Sequence, residues 1–337
     1  MLAELDHEAL AFAATEATAD MFRHVSPAAC AADPPPQAGA PGAAGPPRTV
    51  GERCAVALEN MLGVRHKDAW PLVLTALAAF AEAVGADHPQ LLVSVLAAAA
   101  ELHSDSADPL AKANDLDLFD AQLGAALGAA LRAMGAAPFL ATLPLQMELD
   151  LDSPDSRAWL LPLVIEHAKK ATGSIGYWVR TLLPAARQLE ARADAFHAAG
   201  AGHGVEAQAA YAAVAQLWEV LASMCCSPDD IATSFQLVAK DLGAALQTDS
   251  AERRSTAARA LRRLAFGVSE RRKAAREEGD GQVVAREDVA AAAIARFSRN
   301  FLPILFNLAL AAKPEEREEL LATVEAIALV TPADALN

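Results

Sequence analysis

The segment RAWLLPLVIEH, residues 157–167, places a proline inside an apolar run. One tryptophan and six aliphatic residues fill it, which leaves no face for solvent. The same arrangement recurs as AWPLVL, TLLPAA and NFLPIL, around Pro71, Pro184 and Pro303. Proline is tolerated in the first turn of a helix and kinks the helix when it lies deeper. We therefore interpret residues 157–167 as a helix that its neighbours cover, and we expect the Trp159 ring to be buried.

Outward from this segment, amphipathic helical patterns follow one another with short breaks between them. Their apolar residues recur at three- and four-residue steps, which places them on one face of each helix. These stripes are Trp70, Val73, Leu74, Leu77, Phe80 and Val84; Val214, Leu217, Trp218, Leu221 and Met224; and Ile231, Phe235, Val238 and Leu242. Gly85 and Gly135 are predicted to end helices, with a left-handed cap at Gly85. The SPDD sequence at 227–230 is predicted to cap the helix that follows it.

The composition favours helices throughout the chain. Of its residues 53% are hydrophobic but only 5% are aromatic, and alanine, the best helix former, is abundant. No segment alternates apolar and polar residues as a half-buried strand does. Each helix pair has too small an apolar face to be stable alone, and pairs recur at about 40-residue spacing. The predicted fold is therefore all-α, an α-solenoid of HEAT/armadillo-like helical repeats; the alternative is a compact globular bundle.

Three regions are expected along the chain. Residues 1–32 are predicted to contain an N-terminal helix that is loosely attached or the remnant of a preceding repeat. Residues 33–48, rich in proline and glycine, are predicted to be a disordered linker. Residues 49–337 are predicted to form the solenoid, with a flexible loop near 269–285.

Charge and cysteine spacing restrict the compartment and the partners. The formal net charge is -15 and the pI is about 4.9, so the chain as a whole is a poor ligand for phosphate backbones. The four cysteines show no C-x-x-C spacing and are expected to be reduced thiols. Residues 1–22 do not resemble a secretory signal, and no apolar run is long enough for a membrane span. We expect a soluble, intracellular protein with no membrane partner.

Motifs that carry catalysis or bind cofactors are missing from the sequence. It has no Walker phosphate loop and no G-x-G-x-x-G, and GSIG at 173–176 lacks the spacing of a nucleophile elbow. The eight histidines are scattered rather than clustered as metal ligands are. The sequence therefore predicts no enzyme, no cofactor, no metal and no small-molecule substrate.

One basic block stands out in this acidic chain. It lies within residues 253–276 and is amphipathic around Leu261, Leu264 and Val268. A cluster of this kind could contact RNA phosphates or an acidic partner, or it could be a solvated helix face. Its members are Arg253, Arg254, Arg259, Arg262, Arg263, Arg271, Arg272, Lys273 and Arg276.

Four blocks in this order resemble one protein family. They are RHKDAWPLVLTALAAFAEAVGADHPQLL at 65–92, SRAWLLPLVIEHAKKATGSIGYWVRTLLPAARQLEARA at 156–193, LWEVLASMCCSPDDIATSFQLVAKDLGAAL at 217–246 and SRNFLPILFNLAL at 298–310. Together they resemble the central region of the ribosomal RNA-processing protein 12 family, whose members are HEAT-repeat ribosome-biogenesis factors. The resemblance covers most of residues 50–331, and the family members are longer on both sides.

The resemblance implies a non-catalytic scaffold of pre-ribosomal particles that supports pre-rRNA processing and maturation and export of the small subunit. It implies a nucleolar and nuclear location, with shuttling to the cytoplasm. The implied partners are proteins of the pre-ribosomal particle, pre-rRNA and nuclear-export factors. It brings no active-site residues. A karyopherin-like or generic HEAT-repeat adaptor that binds only proteins is the alternative function.

Overall fold

The structure is a computed structural model that describes residues 16–17, 20–22, 49–105, 116–147, 151, 153, 156–199 and 204–333. No β-strand occurs in these ranges, where the β-type pairing is an isolated bridge between Gly173 and Pro228. The all-α prediction is therefore confirmed. The predicted linker at 33–48 and most of the N-terminal segment 1–32 lie outside the described residues.

The described part of the chain is a succession of helices. In chain order they are α1 (Val50–Met61), α2 (Trp70–Val84), α3 (Val93–Asp105), α4 (Leu116–Met134), α5 (Ala136–Thr142), α6 (Leu160–His167), α7 (Ile175–Tyr177), α8 (Leu183–Ala199), α9 (Gly204–Met224), α10 (Ile231–Leu246), α11 (Ala251–Glu278), α12 (Gly281–Ala295), α13 (Ser298–Ala311) and α14 (Pro314–Val330). Short 3-10 helices lie at Val64–Ala69, Pro89–Leu92 and Ala168–Lys170, and a π-helical turn lies at Trp178–Leu182.

The chain divides into two compact units, Met1–Pro144 and Leu145–Asn337. In the first unit α2 packs mainly on α4, and α1 packs on α3. Gly85 permits the close approach of α2 and α4, since a Cβ atom there would lie 2.7 Å from the Cβ of Ala133. The predicted left-handed cap at Gly85 is wrong, because its φ is -63°, whereas Gly135 does adopt a positive φ of 87°.

In the second unit the helices form two layers. One layer contains α7, α10, α12 and α13, in which α10 packs on each of the other three. The other contains α6, α9, α11 and α14, in which each helix packs on the next. Consecutive helices pair across the layers, as α10 does with α11 and α13 with α14, and α8, which follows α7 through the π-helical turn, pairs with α9. This order of near-neighbour contacts along the chain is that of an α-solenoid.

The apolar stripes read from the sequence form the core. Every residue of the three predicted stripes is buried, from Trp70 in α2 to Leu242 in α10. The helix predicted within 157–167 is present as α6, and its Leu160, Leu161 and Val164 are buried. The prediction that its neighbours cover every side is wrong, because the side that carries Glu166 is exposed. Trp159, however, is only half-buried at the N-cap, and Pro162 is exposed. The prediction that the Trp159 ring is buried is therefore wrong, because α6 begins one residue after it.

The four prolines are accommodated in different ways. Pro71 lies in the first turn of α2, where its missing N–H had no partner. Pro184 is the second residue of α8, just after the π-helical turn, whose wider spacing relieves the clash between a proline ring and the carbonyl four residues earlier. Pro303 lies inside α13. Pro162 is the third residue of α6 and also lies in a first turn. Pro162, Pro184 and Pro303 are exposed and Pro71 is half-buried, so the repeated proline lies on the outer side of packed helices, and only Pro303 lies deep inside one.

The prediction of a flexible loop near 269–285 is wrong. Residues 269–278 continue α11, which is 28 residues long, and α12 begins at Gly281. Asp280 caps α12, since its Oδ1 accepts hydrogen bonds from the backbone N–H groups of Gln282 and Val283, both at 3.0 Å. In this last part of α11, Arg271, Arg272 and Arg276 form ion pairs with α12, and Gly279 ends the helix with a left-handed φ of 77°. These contacts and the cap stabilise the helical conformation that the charge pattern alone did not indicate.

The described helices include no single one that is long and apolar enough to cross a membrane. The consecutive helices α12 and α13, bent by 61°, reach that length and composition only as a pair. In the N-terminal segment, the Phe22 ring lies 5.2 Å from that of Phe80, a fully buried residue of α2. This contact attaches part of the segment to the first unit.

Candidate functional site

All nine residues of the basic block lie on α11. The helix begins at the N-cap Ser250, whose hydroxyl accepts a hydrogen bond from the Arg253 backbone N–H at 3.3 Å. Its buried face includes Leu261, Leu264 and Val268, as the sequence predicted. The block therefore belongs to one rigid element, and the partners of each side chain decide which cations are available.

At the start of α11, two arginines are already engaged. Arg253 forms an ion pair of 2.6 Å with Glu190 of α8, and its guanidinium carbon lies 5.8 Å from the ring centroid of Trp218 in α9. Arg254 donates to the backbone carbonyls of Thr248 and Asp249, at 2.7 and 2.9 Å. These contacts fix the first turn of α11 to α8, to α9 and to the end of the preceding connection.

Two further arginines bind α9. Arg259 pairs with Glu219, and the same carboxylate oxygen accepts a hydrogen bond from the Thr256 hydroxyl at 2.7 Å. Arg263 donates to the carbonyl oxygen of Ala222 at 2.6 Å. Both side chains therefore join consecutive helices of the same layer.

The second half of the block binds α12. Arg271 lies 3.1 Å from Glu287, whose side chain is only 3% exposed and also pairs with Arg286 at 2.9 Å. Arg272 and Arg276 approach the carboxylate of Asp288 at 2.6 and 3.8 Å. Arg271 and Arg286 thus neutralise the Glu287 carboxylate, which would otherwise be costly to bury, whereas Asp288 pairs with its arginines at the surface.

Only Arg262 and Lys273 of the block have no hydrogen-bond or ion-pair partner among the described residues. Together with Phe266, which is 51% exposed, they occupy one face of α11 at i, i+4 and i+11, within about 40° of one another at 100° per residue. We call Arg262, Phe266 and Lys273 the outer stripe. Glu270, also exposed, lies beside it and reduces its positive charge.

The sequence could not identify this division of the block. The acidic partners of the first half, Glu190 and Glu219, lie 63 and 40 residues before their arginines. Phe266 belongs neither to the basic block nor to the buried stripe, so neither pattern indicated it. Its position was readable from helical periodicity, since it follows Arg262 by four residues.

The cysteines and the metal-binding side chains add no second site. Burial raises the pKa of the Cys225 thiol strongly, and burial also raises that of Cys54. Cys54, Cys225 and Cys226 are free thiols. Across the described ranges, no three His, Cys, Asp or Glu side chains come together in a way that could hold a metal ion.

The chain matches the family described as ribosomal RNA-processing protein 12, HEAT repeats, over residues 4–311. It is 30% identical over 303 residues to RRP12-like protein of Homo sapiens, covering 88% of this chain and 21% of that protein. It is 31% identical over 284 residues to RRP12-like protein of Gallus gallus, covering 81% and 19%. Ribosomal RNA-processing protein 12 of Saccharomyces cerevisiae is 26% identical over 220 residues, covering 63% and 17%.

The chain thus spans about a fifth of the length of these relatives. The match begins before the predicted linker and extends to the end of α13, so it includes both units. The two layers of paired helices in the second unit agree with the HEAT-repeat description of the family. The chain belongs to the ribosomal RNA-processing protein 12 family of HEAT-repeat proteins.

Proposed function

We propose that this chain is a non-catalytic scaffold segment of pre-ribosomal particles, which supports pre-rRNA processing and maturation and export of the small subunit in the nucleolus and nucleus. The observation that carries the proposal is the family match over residues 4–311. Its partners would be proteins of the particle, pre-rRNA and nuclear-export factors. The paired helices support a scaffold, because side chains of consecutive helices in one layer present a continuous surface to a large partner.

Sedimentation of the tagged chain in cell extracts tests this function. We expect it to migrate with particles that contain pre-rRNA, and to move to light fractions when pre-rRNA synthesis is blocked. Migration only with small protein complexes, unchanged by that block, would contradict the scaffold and favour a karyopherin-like adaptor.

Within this function, we propose that the outer stripe contacts single-stranded pre-rRNA. An exposed aromatic ring between cations is suited to stack on an unpaired base while the cations approach phosphates. Phe266 is such a ring, and Arg262 and Lys273 are not engaged with other described residues. The seven other cations of the block already have contacts within the chain, and they would bind RNA only by giving these up.

Reversal of the stripe's charges should weaken RNA binding. The logarithm of the RNA association constant decreases with the logarithm of the salt concentration, and each phosphate contact on a single strand contributes about 0.7 to the steepness of that line. For Arg262→Glu with Lys273→Glu, we expect the line to become less steep by about 1.4. Fluorescence anisotropy with labelled oligouridine at several salt concentrations measures this slope.

The matched control for this experiment is Lys240→Glu with Arg299→Glu. Lys240 and Arg299 are exposed cations on α10 and α13 that have no partner in the described part of the chain. This control changes the net charge by the same amount and should leave the slope within error. Equal losses in the two double variants would assign the binding to net charge and not to the stripe.

A further inference from the structure

A small cavity opens between α8, α9 and the first turn of α11, away from the outer stripe. Its volume is about 290 Å³, and its walls include Glu190, Tyr211, Trp218, Glu252, Arg253 and Thr256. Pockets for drug-sized ligands hold about 300 to 1,000 Å³, so this cavity is at the lower limit of that range. Its size suits one long side chain of a partner better than a nucleotide or a cofactor.

Two aromatic rings of α9 line the cavity from one side. Tyr211 and Trp218 are seven residues apart, which places them on the same face of the helix. Trp218 packs edge-on against the buried Trp178 with 5.1 Å between ring centroids. The hydroxyl of Tyr211, a residue that is 38% exposed, donates to Asp194 of α8 at 2.5 Å. Both rings are therefore held in place before any ligand arrives.

The charges around the cavity are mostly negative. Glu190, Asp194 and Glu252 contribute carboxylates, and Arg253 contributes one cation. Glu252 is exposed and has no ion-pair or hydrogen-bond partner among the described residues. The pKa of Tyr211 is raised, first by its hydrogen bond to Asp194, then by desolvation and by the charges of Asp194 and Glu190. This field favours a cationic ligand and disfavours phosphate.

Arg253 demonstrates which chemical group the walls accept. Its guanidinium lies over the Trp218 ring, 5.8 Å from the centroid, and pairs with Glu190 at 2.6 Å. A planar guanidinium stacks on an aromatic ring and pairs with a carboxylate at the same time, which an ammonium group does less well. The second ring and the second carboxylate, those of Tyr211 and Glu252, are not used by Arg253.

We propose that this cavity binds an arginine side chain from a basic segment of a partner protein, with Tyr211 and Glu252 as the main contacts. The net charge of -15 supports the choice of partner, because opposite charge accelerates encounter and selects against acidic ligands. The inference concerns a protein contact. It holds whether or not the chain works on pre-ribosomal particles.

A short peptide tests the site on the full 337-residue chain. The probe is a fluorescein-labelled ten-residue peptide of alternating arginine and glycine, and the readout is anisotropy. We expect saturable binding that is lost when citrulline, the neutral analogue, replaces each arginine. Tyr211→Ala with Glu252→Gln should weaken binding about tenfold, and Glu252→Gln alone about threefold, in the range of cation–aromatic and exposed ion-pair contacts.

Glu270→Gln is the matched control, because it removes one exposed carboxylate from α11 outside the cavity. It should leave the affinity unchanged, and far-UV circular dichroism should show the same helicity in all variants. Equal binding of the citrulline peptide, or equal losses in Glu252→Gln and Glu270→Gln, would overturn the proposal. It would also be overturned if oligouridine displaced the peptide and its own affinity fell in the double variant.

Discussion

Trp178→Ala is expected to lower the free energy of unfolding of the unit at residues 145–337 by about 3 to 5 kcal/mol, the range measured when a buried aromatic residue is truncated. The ring of Trp178 is completely buried in the π-helical turn before α8. Its indole N–H donates to the carbonyl oxygen of Leu217 at 2.9 Å. Truncation would remove this bond and open a cavity beside Trp218, whose ring lies 5.1 Å away. Urea unfolding followed by circular dichroism measures the loss.

Two variants separate burial from hydrogen bonding. Trp178→Phe keeps most of the packing and loses the N–H donor. Its loss of unfolding free energy should therefore be smaller than that of the alanine variant, with a difference of more than about 1 kcal/mol. Trp159→Ala removes a ring of the same size that is only half-buried, and it should cost below about 2 kcal/mol. A larger loss for Trp159→Ala than for Trp178→Ala would contradict this assignment of the core.

The two tryptophans also show what sequence could predict of the fold. Helical periodicity identified the buried stripes of α2, α9 and α10, because burial of a helix face depends on spacing alone. It could not rank Trp159 and Trp178, since each is followed by an LLP sequence and neither belongs to one of the predicted stripes. The π-helical turn that directs Trp178 inward has no signature of this kind. The ring's depth follows from packing against α9, which is distant in sequence.

The basic block shows the corresponding limit for function. A run of arginines on a helix predicts a charged surface, and sequence alone leaves open whether that surface is free. Here Glu190, Glu219, Glu287 and Asp288 engage most of it from three other helices. The acidic partners on α12, Glu287 and Asp288, lie 12 to 16 residues after their arginines, which the sequence predicted to lie in a flexible loop. Only when the helices are stacked do Arg262 and Lys273 emerge as the cations without partners in the described residues.

The cap of α10 is a further feature that the sequence predicted only in part. The SPDD sequence was predicted to cap α10, and Asp230 is indeed its N-cap residue. The carboxylate, however, makes no hydrogen bond to α10 and binds the start of α7 instead. The prediction that it caps its own helix is wrong for the side chain, because the start of α7 has N–H groups that a neighbouring carboxylate can reach.

Asp230→Ala is therefore expected to cost about 3 kcal/mol, because a carboxylate that accepts several hydrogen bonds contributes more than a neutral cap, and its loss leaves donors unpaired. Its oxygens accept from the backbone N–H groups of Ile175 and Gly176 at 2.9 and 2.8 Å. They also accept from the Ser174 hydroxyl at 2.9 Å. A Cβ atom on Gly176 would lie 3.1 Å from the same carboxylate, so glycine provides the room for this contact. Chemical unfolding again provides the measurement.

A double-mutant cycle with Ser174→Ala isolates the contact between the two helices. The Ser174 hydroxyl accepts from the Tyr177 backbone N–H at 3.2 Å and donates to Asp230, so its loss alone should cost about 1 kcal/mol. Because the two side chains share one hydrogen bond, the double variant should lose less than the two single losses together, by about 0.5 to 1 kcal/mol. Asp230→Asn, which keeps one acceptor oxygen, should fall between the wild-type protein and Asp230→Ala. Strictly additive losses, or an Asp230→Ala variant as stable as the wild type, would show that α10 does not hold the start of α7 through this carboxylate.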